Sequence, residues 1–174
     1  RIARRQRQMC IRDSNKGWTI AKKLLQHERK FISNFGLAAA MGSKKDVVSI
    51  AKKHFGELDG EIANPIFRSK VIDHKMKEHA FGLTLQRAGD EGGKASAVAS
   101  MFKYYGTEHN KRRHELMVAA SGINGLAWDG DEFDQDEKNL TRAWLRTKGN
   151  SIEGGTSEVQ LNVISKRVLE LPSS

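Results

Sequence analysis

Apolar side chains recur at intervals of three and four residues through most of the chain, which is the period of an amphipathic helix. Glycine, serine and proline positions separate the periodic segments. The predicted helices cover residues 18–41, 46–55, 65–89, 95–120, 137–148 and 157–169. Strand-like alternation is absent from the pattern, so the sequence predicts an all-α fold, an up-and-down helical bundle with short loops.

Composition narrows the class of protein without assigning a function. The chain has 174 residues, which fits one domain, and its single cysteine excludes a disulfide framework or a cysteine-rich zinc site. No apolar run approaches the ~18 residues that a membrane span needs. There is no secretory signal either, so we expect a cytoplasmic protein without a membrane span.

The first fourteen residues differ from the rest, because they hold five of the arginines and only one acidic residue. The stretch from Arg4 to Ser14 resembles the translation of a sequencing-library adapter. We therefore interpret residues 1–14 as a non-native segment without structure and residues 15–174 as the domain. The alternative is a basic arm that binds nucleic acid. Without this segment the chain keeps a modest positive charge, which does not require a nucleic-acid partner.

The histidines do not predict a metal site. His74 and His79 are five residues apart, as are His109 and His114, and five residues turn a helix by ~140 degrees. Neither pair is therefore suited to chelate one metal ion. The aspartates of residues 129–136 also lack the ligand spacing of a calcium loop. We expect no metal.

Glu28 lies on the apolar stripe of the first predicted helix, among Leu24, Leu25, Phe31 and Ile32. A carboxylate in that position must be paired, be protonated or line a cavity. A desolvated carboxylate with a raised pKa is a candidate general base. The alternatives are a buried structural ion pair or the edge of a groove.

A second candidate is the segment Gly-Gly-Thr-Ser-Glu at residues 154–158, directly before a predicted helix. Glycines let a backbone approach a ligand closely, and Thr156 or Ser157 can cap the helix. Amides at a helix N-terminus attract phosphate. The same segment is also typical of an ordinary turn between two helices.

Three segments resemble acyl-CoA dehydrogenases. SIEGGTSEVQLNVISKRVLELP (residues 151–172) closely resembles the C-terminal signature of that family, and GWTIAKKLLQHER (residues 17–29) resembles the first helix of its C-terminal domain. GINGLAWDGDEF (residues 122–133) is similar to a loop of one branch. The enzymes have an N-terminal helical, a middle β and a C-terminal helical domain. The resemblance implies that this chain is the last one alone, a fragment that is inactive by itself.

The resemblance implies α,β-dehydrogenation of an acyl-CoA thioester, with a carboxylate that removes the α proton and FAD that accepts a hydride. Many members carry the base directly before Gly-Thr in the C-terminal signature, where this chain has Gly154. Other members carry it as a Glu before an Arg on the first helix. Glu28 matches that base, and Arg29 would shape the substrate site beside it.

The other site residues follow from the same resemblance. Gly154 and Gly155 would border the substrate. The positions that would contact FAD are Thr156, Ser157, Glu158 and, through its backbone, Gly122. The implied partners are an acyl-CoA substrate, an electron-transfer flavoprotein and further copies of the chain in a homodimer or homotetramer. The alternatives are a non-catalytic helical interaction module and a relative of the acyl-CoA oxidases.

Overall fold

The computed structural model describes residues 16–25, 27, 46–90 and 96–172. Helices dominate this part of the chain, so the predicted all-α class is confirmed. Helix α1 covers residues 17–25. The later helices are α2 (Val47–Phe55), α3 (Pro65–Asp90), α4 (Ser96–Ser121), α5 (Gln135–Gly149) and α6 (Ser157–Arg167), with a 3-10 helix at Gly122–Leu126.

A small β-hairpin between α2 and α3 was not predicted. Its antiparallel strands are β1 (Glu57–Leu58) and β2 (Glu61–Ile62). Asp59 and Gly60 join them with φ angles of 51° and 81°, so both turn residues are left-handed, as a type I′ turn requires. Strands of two residues are too short to show alternation; the Asp-Gly pair is the signal that the sequence offered.

The core lies where the other helices meet α4. Helix α4 contacts α2, α3, α5, α6 and the 3-10 helix. The buried cluster consists of Val47, Ala51, Ile62, Phe67, Val71, Leu116, Met117, Ala120 and Leu140. These residues come from α2, the hairpin, α3, α4 and α5, so one long central helix organises the packing and positions the segments that follow it.

Two apolar stripes remain exposed. On α1, Trp18 is 72% exposed and Leu24 is 68% exposed, so the described part of this helix does not bury the stripe that its sequence pattern predicts. On α3, the residues Ile72, Met76 and Leu83 form what we call the outer stripe, and all three are exposed. None of the described helices has the length and apolar character that crossing a bilayer requires.

Candidate active site

The connection between α5 and α6 and the first two residues of α6 carry the Gly-Gly-Thr-Ser-Glu segment. We call these residues, 150–158, the tail turn. Gly154 and Gly155 have φ angles of 65° and 97°, which is backbone that favours glycine. A Cβ atom on Gly155 would lie 2.7 Å from Nε2 of Gln160. The backbone can adopt this conformation because glycine occupies both positions.

The start of α6 satisfies its own amides. Thr156 is the N-cap, and its Oγ1 accepts a hydrogen bond from the Val159 amide at 3.3 Å. The Ser157 amide donates to the Ser151 carbonyl at 2.9 Å. A hydrogen bond from its own backbone amide, and then one from the Thr156 hydroxyl, hold the pKa of the exposed Glu158 carboxyl below its usual value. The groups that this helix start offers a ligand are therefore side chains.

Gln160 supports the tail turn from inside, and sequence reasoning missed it. Its side chain is buried, and its Nε2 donates to the Gly154 carbonyl at 2.9 Å. This bond ties the first turn of α6 back onto the two glycines. A buried amide that bonds a local carbonyl has no signature in hydrophobic periodicity, so no pattern in the chain marks it.

Glu108, on α4, anchors the tail turn to the core. Its carboxylate accepts hydrogen bonds from the hydroxyls of Ser151 at 3.4 Å and Ser157 at 3.3 Å. Lys111 donates to the same carboxylate at 2.9 Å and to the Ser151 hydroxyl at 2.9 Å. The hydroxyl of Ser157, one of the residues expected to contact FAD, is thus bonded to a carboxylate on α4.

Lys103 places a positive charge near this network. The residue is buried, and its Nζ has no hydrogen-bond partner among the residues that the structure describes. Burial lowers the pKa of Lys103, and the carboxylates of Glu108, Glu153 and Glu158 oppose that shift. The carboxylates of Glu108 and of the tail turn therefore help to keep a desolvated ammonium charged.

Glu153 is the carboxylate closest in sequence to the Gly-Gly-Thr segment, and it is not desolvated. The residue is exposed, its carboxylate forms an ion pair with Arg146, and Asn150 Nδ2 donates to it at 3.2 Å. A solvated carboxylate that is paired with a guanidinium is not the desolvated group that a general base requires.

The structure brings Gly154, Gly155, Thr156, Ser157 and Glu158 together in the tail turn but separates Gly122 from them. Gly122 has a φ angle of 59° and follows the last residue of α4. It lies 14 residues after Glu108, which the tail turn contacts. At the helical rise per residue this is about 21 Å along α4.

A ligand that contacts both Gly122 and the tail turn must extend along α4. Otherwise Gly122 and the tail turn belong to separate sites. Glu28 and Arg29, the expected base and its neighbour, lie outside the described residues.

Comparison with known proteins identifies the family of the chain. The model of the acyl-CoA dehydrogenase C-terminal domain matches residues 15–169. The chain is 24% identical over 177 residues to acyl-CoA dehydrogenase IpdE1 of Mycolicibacterium smegmatis, covering 98% of this chain and 41% of that protein. It is 25% identical over 157 residues to acyl-CoA dehydrogenase IpdE1 of Mycobacterium tuberculosis, covering 90% of this chain and 38% of that protein. The chain thus spans about two fifths of the length of these curated relatives.

A solved structure shares the fold. A chain in the crystal structure of the ChsE4-ChsE5 complex from Mycobacterium tuberculosis matches with a TM-score of 0.61 at 19% identity, covering 74% of this chain and 34% of that chain. The family match covers most of the sequence. The helical fold around α4 is consistent with it. The chain belongs to the acyl-CoA dehydrogenase family and corresponds to the C-terminal domain of its members.

Proposed function

We propose that this chain is the C-terminal part of an FAD-dependent acyl-CoA dehydrogenase and that its tail turn borders the bound substrate and cofactor. The observation that carries the proposal is the pair of left-handed glycines, Gly154 and Gly155, directly before the capped start of α6. Without side chains at these positions, a thioester or acyl chain can approach the backbone closely.

Thr156, Ser157 and Glu158 would hold FAD at the start of α6. Because the amides there are bonded within the chain, and because Glu158 presents an exposed carboxylate, the site fits hydroxyl or amino groups of the cofactor better than its phosphates. When bound, FAD supplies the acceptor for the hydride that leaves the substrate. Gly122 would add a backbone contact at the C-terminal end of α4.

We assign the α-proton base to Glu28, with Arg29 shaping the site beside it. The tail turn supports this choice by exclusion, because Gly154 has no side chain and Glu153 is exposed and paired with Arg146. Neither position can provide the desolvated carboxylate that proton abstraction requires. Glu28 would accept the proton on a carboxylate oxygen, while Gly154 and Gly155 leave space for the thioester.

The test uses the complete enzyme with Glu28 changed to Gln. We expect turnover with an acyl-CoA substrate to fall by about 10²–10⁴-fold, the range that general bases contribute. Flavin content, measured by its visible absorbance, should not change. The matched control is Glu153→Gln, which should keep its turnover. Turnover retained in Glu28→Gln, or lost to the same extent in Glu153→Gln, would contradict the assignment.

A non-catalytic interaction module is the second candidate, and the outer stripe of α3 favours it, because exposed apolar stripes mark surfaces that another protein segment covers. Both candidates are compatible with a complete protein that forms a homodimer or homotetramer. Flavin bound to the complete protein selects the enzyme, and its absence selects the module. Reduction of an electron-transfer flavoprotein, rather than consumption of oxygen, then separates a dehydrogenase from an oxidase.

A further inference from the structure

Three potential metal ligands meet between α3 and α4. His74 and Glu78 are one helical turn apart on α3, and His109 faces them from α4. One ligand atom from each side chain lies within 4.8 Å of the other two. The histidine pairs whose spacing is unsuited to a metal each lie on a single helix, whereas this cluster is formed by packing two helices together.

Three ring nitrogens of the two imidazoles lack a hydrogen-bond partner among the described residues. His74 is 3% exposed, and neither of its ring nitrogens has a hydrogen-bond partner in the described part of the chain. The same holds for Nε2 of His109. Buried polar atoms are nearly always paired in folded proteins, so three such nitrogens in one place require an explanation.

Burial favours the neutral form of both rings. Burial lowers the pKa of His74 to about 4 and also lowers the pKa of His109. Neutral imidazole is the form that coordinates transition metals, since its lone pair is then free.

We propose that His74, Glu78 and His109 form a binding site for a divalent transition metal, with Zn²⁺ as the best fit. Two imidazole nitrogens and one carboxylate oxygen are ligands that Zn²⁺ accepts, and a fourth position is left for water. A shallow surface groove lined by Lys75, Glu78, His79 and Gly82 gives an ion access to the carboxylate.

Metal binding requires a local rearrangement of the two rings. They are stacked, with centroids 4.1 Å apart and planes 6° apart, whereas a bound ion must lie in the plane of each ring. At least one ring must therefore rotate out of the stack. With bonds of about 2 Å in a tetrahedral site, the ligand atoms must also approach to about 3.3 Å from one another.

Two cationic side chains near the site, Lys75 and Arg113, affect the binding of a metal ion. Lys75 donates to Glu78 at 3.0 Å, but it also pairs with Asp46 at 2.9 Å, so it keeps a partner when Glu78 turns to a metal. The positive charges of Lys75 and Arg113 also act on the histidines, and they lower the affinity for a cation.

The experiment is a titration of the complete protein with Zn²⁺ at neutral pH by calorimetry, together with the Zn²⁺-dependent rise in Tm. We expect one Zn²⁺ per chain at this site. His109→Gln and Glu78→Gln should each weaken binding at least tenfold and remove most of the rise in Tm. These half-buried positions are chosen because a change at the fully buried His74 can prevent folding.

The matched control is His54→Gln, an exposed histidine on α2 that does not line the groove, which should bind Zn²⁺ as the unchanged protein does. The proposal is overturned if His109→Gln and Glu78→Gln keep the original affinity, or if His54→Gln loses as much. Circular dichroism of each variant establishes that it is folded. The readout is metal binding, so the outcome does not depend on the proposed dehydrogenase activity.

Discussion

Gly155 controls the conformation of the tail turn through the side chain that it lacks. Its φ angle of 97° is unfavourable for any residue with a Cβ atom. The space that a Cβ would need is occupied by Gln160, whose Nε2 bonds the Gly154 carbonyl. A methyl group would therefore strain the backbone and break the bond that ties α6 to the turn.

We predict that Gly155→Ala lowers the free energy of unfolding by about 1–3 kcal/mol, the sum of a strained φ angle and a lost buried hydrogen bond. Urea denaturation measures the change. Gly82→Ala is the matched control: Gly82 lies inside α3, and its Cβ would meet open space. Alanine there should be neutral or stabilise by up to about 1 kcal/mol. A Gly155→Ala variant with the same free energy of unfolding as the unchanged protein would show that the turn tolerates a side chain.

At the scale of elements, α5 begins with a reciprocal capping box. The Asp134 carboxylate accepts from the Glu137 amide at 2.8 Å, and the Glu137 carboxylate accepts from the Asp134 amide at 3.0 Å. Glu137 also accepts from Asn124 Nδ2 at 2.8 Å, so the cap fixes the 3-10 helix against α5. The cap therefore fixes the start of α5, the helix that leads to the tail turn.

Asp134→Ala should lower the free energy of unfolding by about 1 kcal/mol, because the Glu137 amide loses its acceptor. Thermal denaturation provides the measurement. Asp131→Ala, an exposed change in the preceding loop, should shift Tm much less. If the two variants melt together, the cap does not stabilise α5.

The sequence predicted the elements better than it predicted their contacts. The two glycines and the N-cap of α6 could be predicted because they act within a few residues, and helices α3 and α4 because their apolar period is long. The start of α5 was placed two residues late, since the capping role of Asp134 was overlooked. The bonds of Glu108 to Ser151 and Ser157, and the stack of His74 on His109, join residues far apart in sequence, which periodicity cannot relate.

At the scale of the whole molecule, charge burial works against stability. The chain has a formal net charge of +9, and Lys103 places one of its ammonium groups in the interior. Because burial lowers the pKa of Lys103, the folded state holds its proton less tightly than the unfolded state does. The penalty is therefore full at neutral pH and disappears as the pH rises to the unfolded value near 10.5.

Lys103→Met should accordingly stabilise the protein by about 1 kcal/mol at pH 7. Its advantage over the unchanged protein should shrink as the pH rises toward about 10.5. Urea denaturation at several pH values tests both statements. Lys77→Met removes an exposed charge that pairs with Asp73, and it should have little effect at any pH. An advantage that is absent at pH 7, or that grows with pH, would contradict the argument.

The central position of α4 has a consequence for how the described domain opens. Since α2, α3, α5, α6 and the 3-10 helix all pack on α4, it cannot lose its hydrogen bonds while the others stay folded. Its middle amides can exchange with solvent only when the entire unit comes apart, whereas α1, with its exposed stripe, can fray alone. The domain therefore behaves as one cooperative folding unit, which protects the tail turn from local melting for as long as α4 persists.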